Sequence, residues 1–389
     1  MDNPDGIRTI DVGSFPLDAD LEQYLLGASD IERNSGQVNT KEAEYFITNH
    51  NSTFLKKAKA LGPEMSVTAY AQCRGMIDQF LIPVIQSVTK SGTQQTSIHS
   101  NFGDIKIDDA QAVAIAIATE GFKSINEHVI FPEIIALQKE SEQLSRTLGV
   151  DNIPYKSCVT GPLELSLNLQ RLARFPRSYD EKLVEYFTKV VMTYVKQSLV
   201  KSNHLRPVVI TLDEPAIGLE GFGDYFSDTK SDTNLDHLIS CWNKIYDLVP
   251  SECYRGIHLH ASPFEALFSA NWNLLEAHVG VFVNRKWLEI YDKFVRAAIV
   301  RTDGPTIDES VDVKAVWKEI FLGNYQNYLQ SSDEMNSQLK ANIELYGLER
   351  IPFAGPECGL GSWDWKHGDT MALATLKRMR DVVQEFNKI

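Results

Sequence analysis

The sequence predicts a (β/α)8 TIM barrel with extra N-terminal helices and loop insertions. Three observations carry that expectation. Strand-like and helix-like segments alternate along the chain, as parallel strands joined by helical crossovers require. Eight apolar runs read as main strands, at 7–15, 66–71, 154–159, 207–212, 254–261, 279–283, 295–301 and 351–354, and eight is the number that closes such a barrel. Several of these runs stop at polar residues, which in a barrel gather at the mouth formed by the carboxyl ends of the strands. The competing doubly wound sheet needs a Gly-rich phosphate turn after its first strand, and Gly13 stands alone there.

Each element has a local reason. Ile7–Phe15 is a strand broken by Gly13-Ser14-Phe15-Pro16, because proline ends a ladder. Leu21–Leu26 and Thr40–Leu61 have amphipathic spacing, and Gly62-Pro63 stops the second of them. Ser66–Ala71 is the next strand, and Met76–Val88 is helical with Pro83 inside it. Thr89–Asp104, rich in Ser, Thr, Gln and Gly, reads as an excursion, a hairpin or lid. Asp108–Glu120 is a helix with acids in its first turn, Ile125–Phe131 is short and extended, and Pro132 opens a helix over Ile134–Leu148. Strand Pro154–Val159 closes at Thr160-Gly161-Pro162, and helix Glu181–Val200 leads to Pro207–Leu212. That strand is a buried β-branched run ending abruptly in Asp213-Glu214-Pro215.

Gly218–Asn234 is an acidic, Gly-rich loop before helix Leu235–Leu248. Strand Tyr254–Ala261 carries His258 and His260 to Ser262, and Phe264–Leu275 is helical. Strand Val279–Val283, helix Trp287–Phe294 and strand Val295–Arg301 follow, the last ending at Thr302-Asp303-Gly304-Pro305. Helix Met335–Tyr346 leads to strand Ile351–Ala354, then to the glycine-rich 355–361, and helix Asp369–Phe386 closes the chain. With no internal repeat and no linker, one domain is expected over residues 1–389.

Composition narrows the function. Hydrophobic residues at 43% supply a core, and a net charge of -14 without a basic stripe would repel a nucleic-acid backbone. No apolar run is long enough to span a bilayer, and the first residues lack the pattern of a signal peptide, so the expectation is a cytoplasmic protein with neither nucleic-acid nor membrane partners. Five cysteines without Cys-x-x-Cys spacing argue for reduced thiols.

The tips of eight strands would share one mouth, making a single set of Ser14, Tyr70, Gln72, Thr160, Asp213, Glu214, His258, His260, Ser262, Asn284, Arg285, Asp303, Glu357 and Cys358. Imidazole from His260 and thiolate from Cys358 suit zinc, and His258 shares the face of His260 by strand alternation. The alternatives are that His258 is a hydrogen-bonded core histidine, Cys358 a small buried hydrophobe, and Asp213 the cap of a turn.

Five motifs occur in order: Val12-Gly-Ser-Phe-Pro16, Thr160-Gly-Pro162, Asp213-Glu-Pro-Ala216, Ile257-His-Leu-His260 and Pro356-Glu-Cys-Gly-Leu360. Together they resemble the catalytic barrel of cobalamin-independent methionine synthase, in the superfamily that also holds uroporphyrinogen decarboxylase. The resemblance implies a methyltransferase in which zinc activates the thiol of homocysteine toward a methyltetrahydrofolate or a methylcorrinoid. It implies Val12 and Ser14 on the amino acid's backbone, Asp213 on its ammonium, and His260 and Cys358 on zinc, with His258 or Glu357 a candidate to join them. A second-strand carboxylate that helps hold the amino acid falls at Tyr70, and a proton-shuttling histidine at Asp303. The family's His-x-Cys reads His260-Ala261-Ser262 here, and its glutamate ligand falls at Val283, so two of four expected ligands are absent. Two other classes stay open: a metal-free lyase or decarboxylase using Asp213, Asp303, Arg285 and His258, and a non-catalytic binding member of the same superfamily.

Overall fold

The computed structural model describes residues 6–91, 129–173, 180–217, 231–306 and 312–388. Its strands are β1 (Arg8–Ile10), β2 (Ser66–Ala69), β3 (Ile153–Thr160), β4 (Leu205–Asp213), β5 (Tyr254–Leu259), β6 (Leu274–Ala277), β7 (Phe294–Val300) and β8 (Phe353–Pro356). They form a closed barrel in chain order, every neighbouring pair parallel and β8 returning to β1. The expected fold class is the observed one.

Twelve α-helices surround the barrel among the described residues. They are α1 (Leu21–Arg33), α2 (Lys41–Leu61), α3 (Asp78–Ser91), α4 (Pro132–Lys139), α5 (Ser141–Leu148), α6 (Pro162–Ala173), α7 (Asp180–Ser198), α8 (Ser231–Tyr246), α9 (Arg285–Ile290), α10 (Val313–Phe321), α11 (Ser332–Tyr346) and α12 (Gly368–Phe386). Their starts follow local chemistry. Asp20 and Thr40 accept from the backbone N–H groups of Gln23 and Ala43 to begin α1 and α2, and Ser331 and Glu334 make a reciprocal capping box on α11. Helices α6 and α10 were not expected, although Pro162 and the capping Asp312 mark where they begin. The single helix expected over Ile134–Leu148 is two, separated at Glu140.

The largest correction concerns β6. Residues 264–275 were expected to be helical and 279–283 extended, whereas Glu265–Ser269 is a short 3-10 turn and the strand is Leu274–Ala277. Leu, Glu and Ala favour helix locally, but parallel pairing to β5 on one side and β7 on the other overrides that preference. The polar excursion is outside the described residues beyond Ser91, as are the helix expected over Asp108–Glu120, most of the extended stretch before Phe131 and most of the acidic loop after Ile217.

Alternation along the strands stacks the lumen in tiers. At the foot lie Ile10, Val67, Val209, Tyr254, Leu274 and Phe353, all buried against one another. Above them five consecutive strands contribute Lys156, Thr211, His258, Glu276 and Arg296, all fully buried or nearly so. Lys156 Nζ lies 2.6 Å from Glu276 Oε2, and the Thr211 hydroxyl donates to Glu276 Oε1 at 2.8 Å. Arg296 Nη1 stands 3.9 Å from the same carboxylate. Two cations around one anion, with hydrogen bonds taking up the remaining lone pairs, is the arrangement that lets such charges stay inside a protein.

Candidate active site

Directly above this charged tier, the next residues on the same faces reach the mouth. His258, the tier's own member on β5, is joined there by His260 just after β5, His278 after β6 and Cys358 after β8. Their ligand atoms all lie within 4.8 Å of one another. The rings of His260 and His278 are 4.1 Å apart between centroids, and Cys358 Sγ is 3.8 Å from His260 Nε2. Neither nitrogen of His258 has a hydrogen-bond partner, nor does His278 Nε2. Buried imidazole nitrogens without partners are unfavourable unless something else takes their lone pairs.

Electrostatics favour neutral imidazoles here. Burial lowers the pKa of all three histidines, His260 to about 4, and the Arg296 guanidinium pushes His258 and His278 further in the same direction. Burial and the nearby Asp213 push the Cys358 thiol up to about 11. Three neutral imidazoles and one thiol that ionises on meeting a cation fit zinc by donor type, and the cluster's compactness fits a single ion. Among the described residues, this is the one group with that character.

Asp213 borders the cluster, paired in register with His258. It is buried, its Oδ1 has no partner, and burial together with nearby Glu164 raises its pKa to about 8. Its neighbour Glu214 has another task. That carboxylate accepts from the N–H groups of Leu163 and Glu164 at the start of α6 and from Trp242 Nε1, at 2.8–3.1 Å. The Asp-Glu-Pro and Thr-Gly-Pro motifs are thereby bound to each other. Gly161 is required at that junction, since a Cβ there would fall 2.2 Å from the Glu214 carboxyl group.

The first and last motifs also meet. Ser14 pairs with Gln72 and its carbonyl accepts from Leu360 N–H at 2.8 Å. A Cβ on Gly359 would lie 2.4 Å from Ser14 Cβ, so the loop carrying Cys358 rests on the tip of β1. Val12 is buried at the same tip.

No family model matches the sequence, and no curated protein is detectably similar to it. Solved structures are. A methyltransferase from Methanosarcina mazei superposes with a TM-score of 0.54 at 13% identity, over 98% of this chain and 94% of that one. A vitamin-B12-independent methionine synthase assignment from Listeria monocytogenes gives 0.52 at 13%, over 97% and 96%. These neighbours share the closed (β/α)8 barrel of this chain. A B12-independent methionine synthase from Shewanella sp. W3-18-1, in complex with selenomethionine, gives 0.49 at 12% identity over 98% of each chain.

Against the methionine synthase pattern, several expected positions change. Val283 is buried among apolar side chains of the outer layer, and the side chain that the β6 tip delivers is His278. Sequence reasoning missed His278 because it placed the strand too late; residues 274, 276 and 278 share one face once β6 is set correctly. Ser262 is exposed, and its hydroxyl accepts from Phe282 N–H at 3.2 Å, tying two loops together. Tyr70, expected to touch substrate, is fully buried with its ring against Phe131 and its hydroxyl donating to Cys158 O at 2.5 Å. Strand alternation turns it away from the lumen. Asp303, expected to be catalytic, is exposed and lines a cavity of about 530 Å³ beside α11 that includes none of the cluster residues. Arg285 is exposed on α9, paired with Glu289 and Glu349. The side chains of the metal-free lyase reading are therefore not gathered at one place.

Glu357 is no free ligand. Its two oxygens accept from Val279 N–H at 3.0 Å and Thr302 N–H at 2.9 Å.

Proposed function

We propose that this barrel, taken as one unit over residues 1–389, transfers a methyl group to a thiol. Homocysteine is the acceptor implied by the motifs, and a methyltetrahydrofolate or a methylcorrinoid is the donor class. The observation that carries the reading is the convergence of His258, His260, His278 and Cys358 within 4.8 Å beside Asp213. Zinc held by this set would supply Lewis acidity, lowering the pKa of a thiol that meets it. The protein's own donors would bring a single negative charge, from Cys358, so a divalent ion keeps a net positive charge that favours an anionic sulfur over a neutral one.

The remaining residues handle the amino acid. Asp213 offers its unpartnered oxygen to the ammonium, and the arriving cation favours ionisation of a carboxyl group that burial otherwise holds protonated up to about 8. Val12 and Ser14 take the backbone end at the β1 tip. The proteins of this fold named above carry the names methyltransferase and methionine synthase, which agrees with the reaction class.

The test is metal content and turnover. Purified protein should carry about one zinc per chain, lost in His260→Ala and Cys358→Ser, and should methylate homocysteine from one of the two donors. Protein that stays metal-free in excess zinc and is inert with both donors would overturn the proposal.

A further inference from the structure

We propose that Arg296 and Glu357, which ligate nothing, form a buried template that sets the spacing of His278 and Cys358. This rests on the reading of those residues as a metal site, and extends it to the groups that hold the ligands' backbone.

The geometry is reciprocal. The Arg296 guanidinium rises from β7 into the gap between β6 and β8 and donates to three carbonyls: Pro356 and Glu357 of the β8 tip, the latter at 3.0 Å, and Ala277 of the β6 tip at 3.4 Å. Two of these carbonyls belong to the residues immediately before His278 and Cys358. Glu357 returns the link in the opposite direction, from β8 to Val279 N–H just after His278 and to Thr302 N–H after β7. A cationic fork and an anionic fork thus bracket His278 on both sides and fix it relative to Cys358. Room for the guanidinium depends on Gly355, where a Cβ would lie 3.2 Å from Arg296 Cδ and 2.5 Å from Ile10 O.

Charge accounts for the choice of residues. A guanidinium presents donors in a rigid plane and can satisfy several carbonyls at once, which lysine cannot. A carboxylate accepts at both oxygens, whereas an amide replacing it turns one donor toward an N–H. Groups behind metal ligands in this way typically change affinity by about 10–100-fold when altered.

The experiment compares wild type, Glu357→Gln, Glu357→Asp and Arg296→Lys by two readouts. The first is zinc affinity by chelator competition. The second is the alkylation rate of the metal-free protein, which reports Cys358 because the other four cysteines are buried. We expect Glu357→Gln and Arg296→Lys to lose about 10–100-fold in affinity and to be alkylated several-fold faster, with Glu357→Asp closer to wild type because it retains both acceptors. Thermal melting of each metal-free variant identifies any that fails to fold; if Glu357→Gln is one of them, Arg296→Lys carries the test, and unchanged affinity and alkylation there would overturn the template. Unchanged affinity and unchanged alkylation in folded Glu357→Gln would overturn the template. Wild type that binds no zinc would instead overturn the metal reading, and the alkylation rates would still decide the template.

Discussion

Replacing Glu276 by Gln tests the account of the lumen most directly. The substitution keeps the shape and leaves an acceptor for the Thr211 hydroxyl, so no cavity opens. What disappears is the one negative charge facing Lys156 at 2.6 Å and Arg296 at 3.9 Å, with all three side chains fully buried. Breaking a buried pair by removing one partner costs about 3–5 kcal/mol. Here two cations lose their counter-charge, so we expect the upper part of that range, about a thousandfold in the folding equilibrium. Lys156→Met in the same chain should recover a part of the loss and leave the share due to Arg296. Denaturant unfolding followed by circular dichroism gives each free energy. The sign of the pH dependence is also fixed. Lys156 and Arg296 hold the Glu276 carboxyl below its ordinary range despite burial. Its contribution is therefore complete above the ordinary carboxyl pKa and lost as pH falls through the depressed value. The gap between Glu276→Gln and wild type should be full at neutral pH and close in acid. A variant within about 1 kcal/mol of wild type at pH 7 would refute the reasoning, because a loss that small is typical of an exposed pair.

Other outcomes follow from single contacts. Asp213→Asn should melt higher than wild type at pH 9 and equally at pH 4. A carboxyl raised from 3.8 to about 8 withdraws stability as pH climbs between those values, by at most about 6 kcal/mol. Gly161→Ala should lose about 1–3 kcal/mol in chemical denaturation, since its methyl group would displace the Glu214 carboxylate from α6. Ser331→Ala should cost about 1 kcal/mol in the same assay through loss of the capping box on α11.

Much of this architecture is legible in the sequence, and the part that is not has a common cause. Strand β4 is readable because a β-branched run ending in acids has few other interpretations, and Asp213 follows from it. The final motif is readable because Cys358 sits between a strand and a glycine-rich loop. Strand β6 is hidden because its residues prefer helix, and its state is decided by partners on β5 and β7 that no local window contains. Glu276 looks like a surface residue until Lys156, 120 positions earlier, is brought against it. His278 is lost with the strand that carries it. Tyr70 fails for a smaller reason: the period of two assigns it to the side opposite Ala69, toward α3 and the aromatic layer.

The apolar layer formed by Ile10, Val67, Val209, Tyr254, Leu274 and Phe353 closes the foot of the barrel, and the buried Lys156, Glu276 and Arg296 fill the lumen above it, so the His/Cys cluster can be approached only from the mouth. A site with a single approach is first in, last out. On the proposed reading, a thiol resting against the imidazoles would arrive before its methyl donor and its product would depart last, so an ordered kinetic scheme would follow from shape.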